Sequence, residues 1–152
     1  MVQRYFAYGS NMNPERVRSR GLLVTHAEGA VLHGFALRFD KTSARHPGLG
    51  HANVVYAPGS VVEGVLYWLA TPEEIHKMDP FESAPVNYSR EVVEVHGVSG
   101  AITSWTYFAN PAVRREGLLP PRSYLEHLLA GEAFLSPGYV QMLRALPCAE
   151  DR

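Results

Sequence analysis

A chain of 152 residues is the size of one domain, long enough to bury ~70% of its unfolded surface and so to fold without staples. A net charge of −1 with only 19% charged residues offers no basic stripe for nucleic acid and no polybasic anchor for a membrane. The one cysteine, Cys148, excludes an internal disulfide framework. With no basic-then-apolar leader and no apolar run of spanning length, the expected location is a reducing cytoplasm.

In chain order, residues 2–8 read as a strand that stops abruptly on Gly9-Ser10-Asn11. Asn13 is placed as a helix cap and Pro14 at the first helical position, with the helix ending near Gly21. Strand, Gly turn and helix start together make an anion cradle of unpaired N–H groups and dipole, although an ordinary tight turn has the same pattern. Residues 31–39 read as a second strand with His33-Gly34 as a bulge, and 40–50 as an exposed loop with its turn at 46–50. A short strand at 52–56, a hairpin-like turn at 57–60 and a strand at 61–69 follow.

Thr71-Pro72-Glu73-Glu74 has the form of a capping box opening a helix to Met78, which Asp79-Pro80 stops. Strands at 90–95 and 102–108 flank a turn at 97–100. Two helices close the chain. One spans about 121–130 with Gly131 as its stop; the other starts at Ser136-Pro137 with Tyr139, Val140, Leu143 and Leu146 at core spacing. Some six strands with singly inserted helices is not βαβ alternation, and the short turns favour antiparallel pairing. The expected fold is a single α+β domain over residues 1–152, a small curved mixed β-sheet or barrel with a few peripheral helices.

The seven histidines are scattered without metal-ligand spacing, so nothing predicts a metal. There is no Walker loop and no dinucleotide fingerprint, and Gly48-Leu49-Gly50 reads as a turn. Ser10 is not in a nucleophile elbow. Glu82, flanked by Phe81, Ala84 and Pro85, is the notable acid. In apolar surroundings its pKa would rise into the range of a proton shuttle; in water it would be an ordinary loop glutamate.

Tyr8-Gly9-Ser10-Asn11-Met12 and Met78-Asp79-Pro80-Phe81-Glu82, with Tyr88-Ser89-Arg90 behind them, resemble the γ-glutamylcyclotransferase superfamily and most of all its AIG2-like, γ-glutamylamine cyclotransferase-like branch. The resemblance takes in the Pro58-Gly59 turn, the Gly64-Val65-Leu66-Tyr67 strand and Tyr107, hence most of residues 3–109, and is loose over the last forty. Two positions depart from the family pattern: Met78 where Leu is usual, and Ser83 where Gly often follows the acid.

The resemblance implies a compact β-barrel-like fold and an enzyme that closes a γ-glutamyl amide to 5-oxoproline and releases the amine, without a cofactor. It implies Glu82 as the acid/base, and Tyr8, Gly9, Ser10, Asn11 and Met12 with Tyr88 and Tyr107 as the substrate-binding set. The amides of residues 9–11 would stabilise the oxyanion, and the helix from Pro14 would grip the α-carboxylate through its dipole. Arg90 either pairs with Asp79 or meets the ligand. A non-catalytic ligand-binding or scaffold protein and an amide hydrolase are the competing readings. The leaving amine and the oligomeric state are open, with residues 40–50 and the C-terminal helices expected to border the amine half.

Overall fold

The computed structural model describes residues 1–150. Five strands, β1 (Arg4–Ala7), β2 (Val24–Thr42), β3 (Gly50–Leu69), β4 (Tyr88–Gly97) and β5 (Gly100–Ala109), close into a barrel in the order β1-β3-β2-β4-β5. The closing pair, β1 with β5, is parallel through Tyr5 and Trp105; the other pairs are antiparallel. Helices α1 (Pro14–Ser19), α2 (Arg122–Leu129) and α3 (Pro137–Arg144) lie outside the sheet. The expected mixed α+β barrel is the architecture observed. No helix among the described residues is long and apolar enough to cross a membrane.

The twofold alternation of strand side chains divides the core. Phe6 and Leu66 join Leu32, Val54 and Val62 in one cluster. Tyr5, Ala7, Val65, Tyr67 and Leu69 join the other, to which α1 contributes Val17, α2 Leu125 and Leu128, and α3 Tyr139 and Leu143. The caps are local: Asn13 accepts from the Glu15 N–H at 3.1 Å and Ser136 from that of Tyr139 at 3.3 Å.

Three expectations are corrected. Residues 57–60 do not reverse the chain. β3 runs straight through them while the pairing with β2 slips from His33↔Val61 to Phe35↔Tyr56, so Gly34 alone lies opposite four residues. Gly34 and Gly59, both at positive φ, absorb the irregularity. The true hairpin loop is 43–49. β2 also begins at Val24; its first turn of sequence looks weak as a strand because Gly29 must be small, a Cβ there falling 2.2 Å from the Phe134 carbonyl oxygen. Third, Pro72–Lys77 is a 3-10 helix and Thr71 makes no side-chain cap, since Glu74 instead accepts from the Leu23 N–H at 2.8 Å and from Lys77.

Gly64 shows how tightly β1 sits on β3. A Cβ there would fall 2.4 Å from the Ala7 carbonyl oxygen and 2.8 Å from the Phe6 ring. Gly64→Ala is expected to destabilise the fold by ~1–3 kcal/mol, read as a lower urea midpoint at unchanged m-value; an unaltered midpoint would contradict this packing.

Candidate active site

The segment that follows the 3-10 helix is anchored by Asp79. Its Oδ1 accepts from Arg90 Nε at 2.9 Å and from the Tyr107 hydroxyl at 2.5 Å, tying the segment to β4 and β5. Arg90 also stacks on Trp105, with its guanidinium carbon 4.3 Å from the ring centroid. Arg90 therefore takes the Asp79 role and does not line the cavity. The backbone then turns tightly: the Glu82 N–H is shared between the carbonyls of Met78 and Asp79, and that of Ala84 returns to Asp79. Ser83 sits at φ 48, a left-handed conformation that costs a non-glycine residue ~1–2 kcal/mol. The turn delivers the Glu82 carboxyl to a cavity of about 210 Å³. That is below the roughly 300–1,000 Å³ of drug-sized sites and of a scale for a small metabolite.

The Gly9-Ser10-Asn11 turn lines the same cavity. Asn11, only 2% exposed, joins the two segments. Its Nδ2 lies 2.9 Å from the Tyr5 hydroxyl, 3.2 Å from Met78 Sδ and 3.4 Å from Glu82 Oε1, while its Oδ1 accepts from Arg20 at 3.0 Å. Met78, the departure from the usual Leu, thus supplies a soft acceptor to this amide. Gly9 is required by close approach: a Cβ there would fall 2.9 Å from the Tyr124 hydroxyl.

Tyr124, from α2, is one of the lining residues the sequence does not announce, with Arg16, Arg20, Lys41 and His51. Its hydroxyl accepts from the Ala52 N–H at 3.0 Å. Its own proton has no acceptor among the described residues. The sole trace in the sequence is a tyrosine one position before the buried Leu125.

The expected tyrosines line the cavity but spend their protons elsewhere. Tyr8 donates to the Tyr107 carbonyl, Tyr88 to the Ala52 carbonyl at 2.8 Å, and Tyr107 to Asp79. They form walls rather than free donors. Met12 is not at the cavity: it is fully buried in the core, beneath Gly131. The N-terminus of α1 does not open onto the cavity either: residues 13–15 are absent from its lining, and Asn13 takes the Glu15 N–H. α1 presents its side, so Arg16 and the following Arg20 supply the positive charge that the dipole was expected to give. Ser10 Oγ accepts from Arg16 Nε at 3.2 Å.

Lys41, Arg16 and Arg20 all line the cavity, and among the described residues none of the three is ion-paired. His51, stacked on Tyr124 at 4.7 Å, is kept neutral by burial and by Lys41 and Arg16, its pKa lowered to about 4. Burial raises the Glu82 pKa from 4.5 to about 7, and the pull of Arg20, Lys41 and Arg16 does not cancel it. A larger, mostly apolar cleft of about 550 Å³ between β2 and the C-terminal segment has no comparable set of convergent polar groups. No cluster of three His, Cys, Asp or Glu suited to a metal occurs among the described residues.

Comparison with known proteins bears on this geometry. Residues 5–126 match the family model described as gamma-glutamyl cyclotransferase, AIG2-like. No curated protein matches. Among solved structures, one described as gamma-glutamyl cyclotransferase shares 24% identity at a TM-score of 0.81, covering 96% of this chain and 88% of that one. The protein loc79017 from Homo sapiens shares 25% identity at a TM-score of 0.82, with coverage of 98% and 90%. A yeast gamma glutamyl cyclotransferase specific to glutathione shares 18% at a TM-score of 0.63, with coverage of 94% and 96%. The likenesses under 25% identity are likenesses of fold.

The raised pKa makes Glu82 a cost to stability wherever it ionises. Between pH 4.5 and about 7 the native state holds a proton that the unfolded chain has released, so stability falls as pH rises through this window. Glu82→Gln is therefore expected to raise the denaturant midpoint over wild type at about pH 8, with the gain vanishing at about pH 4. An equal difference at both pH values would contradict the assignment.

Proposed function

The chain belongs to the AIG2-like γ-glutamyl cyclotransferase family, and on that footing we propose that it cyclises a γ-glutamyl amide to 5-oxoproline and releases the amine. The observation that carries this reading is the Glu82 carboxyl, its pKa raised to about 7, lining one cavity together with the Gly9-Ser10-Asn11 turn.

The chemistry needs no nucleophile from the protein. The substrate's α-nitrogen attacks its own γ-carbonyl carbon, a C–N bond closes the five-membered lactam, and the C–N bond to the amine breaks. Two protons leave the α-ammonium and both end on the departing amine, which leaves as an ammonium. Holding the glutamyl chain folded back supplies an effective concentration worth up to ~7–11 kcal/mol in well-oriented cases. Glu82 takes a proton from the attacking nitrogen and returns one to the leaving nitrogen. A pKa of about 7 suits both directions near neutral pH.

As the carbonyl oxygen becomes negative, the backbone of Gly9 and Asn11 and the free proton of Tyr124 are the donors that face it. Each such donor is worth ~3 kcal/mol. The Ser10 side chain contributes less directly, because its Oγ takes the Arg16 bond. In this reading Arg16 and Arg20, fastened to the turn through Ser10 and Asn11, grip the α-carboxylate.

Glu82→Gln is expected to lower 5-oxoproline release from a panel of γ-glutamyl compounds by ~10²–10⁴-fold while calorimetry still detects ligand binding. In wild type, kcat/KM should fall as the pH drops below about 7, following protonation of this carboxyl. Activity within a few-fold of wild type, or free glutamate as the product, would refute the reading.

A further inference from the structure

Tyr124 reaches the cavity from α2, but the contacts that fix its ring come from the sheet. The Ala52 N–H, on β3, donates to its hydroxyl at 3.0 Å. Phe39, on β2, packs against it edge to face, with ring centroids 6.5 Å apart at 87°. The hydroxyl also fits closely at Gly9, where a Cβ would fall 2.9 Å from it. The broad contact is with His51, next to Ala52 on β3: the two rings lie 4.7 Å apart and within 14° of parallel.

His51 does none of the usual work of a histidine in a cavity. Its ring nitrogens make no hydrogen bond and no ion pair among the described residues. Burial, with Lys41 and Arg16 nearby, lowers its pKa to about 4. So weak a base is unprotonated near neutral pH and takes almost no part in proton transfer there. What it offers is a flat, neutral face laid on the phenol. Neutrality suits the place, since an imidazolium would add one more positive charge beside Lys41 and Arg16.

We propose that His51 is a positioning residue for Tyr124: the stacked imidazole holds the phenol so that its free proton points at the oxygen of the reacting carbonyl. This rests on the cyclotransferase reading and adds to it. The Ala52 N–H occupies one side of the phenol oxygen, and the stack sets the tilt of the ring. Between them the O–H bond keeps one soft rotation. Without the imidazole, space the size of a ring opens on one face and the phenol tilts off the oxyanion position. A displacement of about 1 Å in a catalytic array can cost ~100-fold in rate.

The test is a double-mutant cycle on kcat for 5-oxoproline release, with the γ-glutamyl compound that wild type turns over best. Tyr124→Phe is expected to lower kcat ~100-fold, the loss of one oxyanion donor. His51→Ala should lower kcat about tenfold with KM within about threefold, and His51→Phe, which keeps a flat ring, should recover to within about threefold of wild type. In the Tyr124→Phe background, His51→Ala should change kcat by no more than about twofold, because the proton it would aim is gone. The proposal is overturned by an unimpaired His51→Ala, by a loss carried in KM, or by an equal loss in both backgrounds. A His51→Phe as impaired as His51→Ala, or a fully active Tyr124→Phe, overturns it too. If His51→Ala does not fold, His51→Leu takes its place in the cycle. If no compound yields 5-oxoproline, the cyclotransferase reading fails by itself. NMR contacts between the Tyr124 ring protons and the Gly9 α-protons then decide whether the imidazole positions the phenol. Their loss in His51→Ala but not in His51→Phe upholds it; retention in His51→Ala, or loss in both, overturns it.

Discussion

One carboxyl group, that of Glu82, is largely withdrawn from water yet lines a cavity, and the architecture around the cavity holds it there. Asp79 does the holding. By accepting from Arg90 and Tyr107 it joins the segment before Glu82 to β4 and β5, and the Tyr107 carbonyl in turn takes the Tyr8 hydroxyl at the end of β1. Three strands thus converge on the backbone that carries the acid. Three neighbouring cations would ordinarily drive a carboxyl below its usual range. Here burial outweighs them and the group stays poised near neutrality.

The site departs locally from what stability alone would favour. Ser83 adopts a left-handed backbone, Lys41 is buried without a counter-ion, and Glu82 disfavours the native state when it ionises. Away from the cavity the chain is locally consistent: strands alternate into two core clusters, and α1 and α3 carry their own caps. Strain gathered at a cavity within an otherwise consistent fold is the pattern of a functional site.

What could be read from the sequence follows how far each feature reaches along the chain. Gly9-Ser10-Asn11 and Asp79 to Glu82 are short, local motifs, and their meeting at one cavity is implied by the resemblance to a family rather than by either motif alone. The long strands are less legible, because a residue pair such as Gly34 and Gly59 reads as a turn unless the partner strand is known to slip past it. Lys41 hides for a related reason: the register shift between Arg38 and Lys41 breaks the alternation that would have told which face it takes. The Asn13-Pro14 pair makes the start of α1 legible, but which way that end faces is set by long-range packing, and the helix turns its side to the cavity. Tyr124 and Met12 illustrate the same limit. One looks like core and stands at the cavity; the other looks like part of a loop motif and lies in the core.

The central claim is that residue 82 is an acid held half-ionised at neutral pH by its surroundings. A carbon-13 NMR titration of glutamate side-chain carboxyls in the intact protein, with Glu82 assigned by its absence in Glu82→Gln, measures this directly. The account predicts a midpoint near 7 for that resonance. A midpoint near the ordinary 4.5 would show a solvated carboxylate and contradict the account.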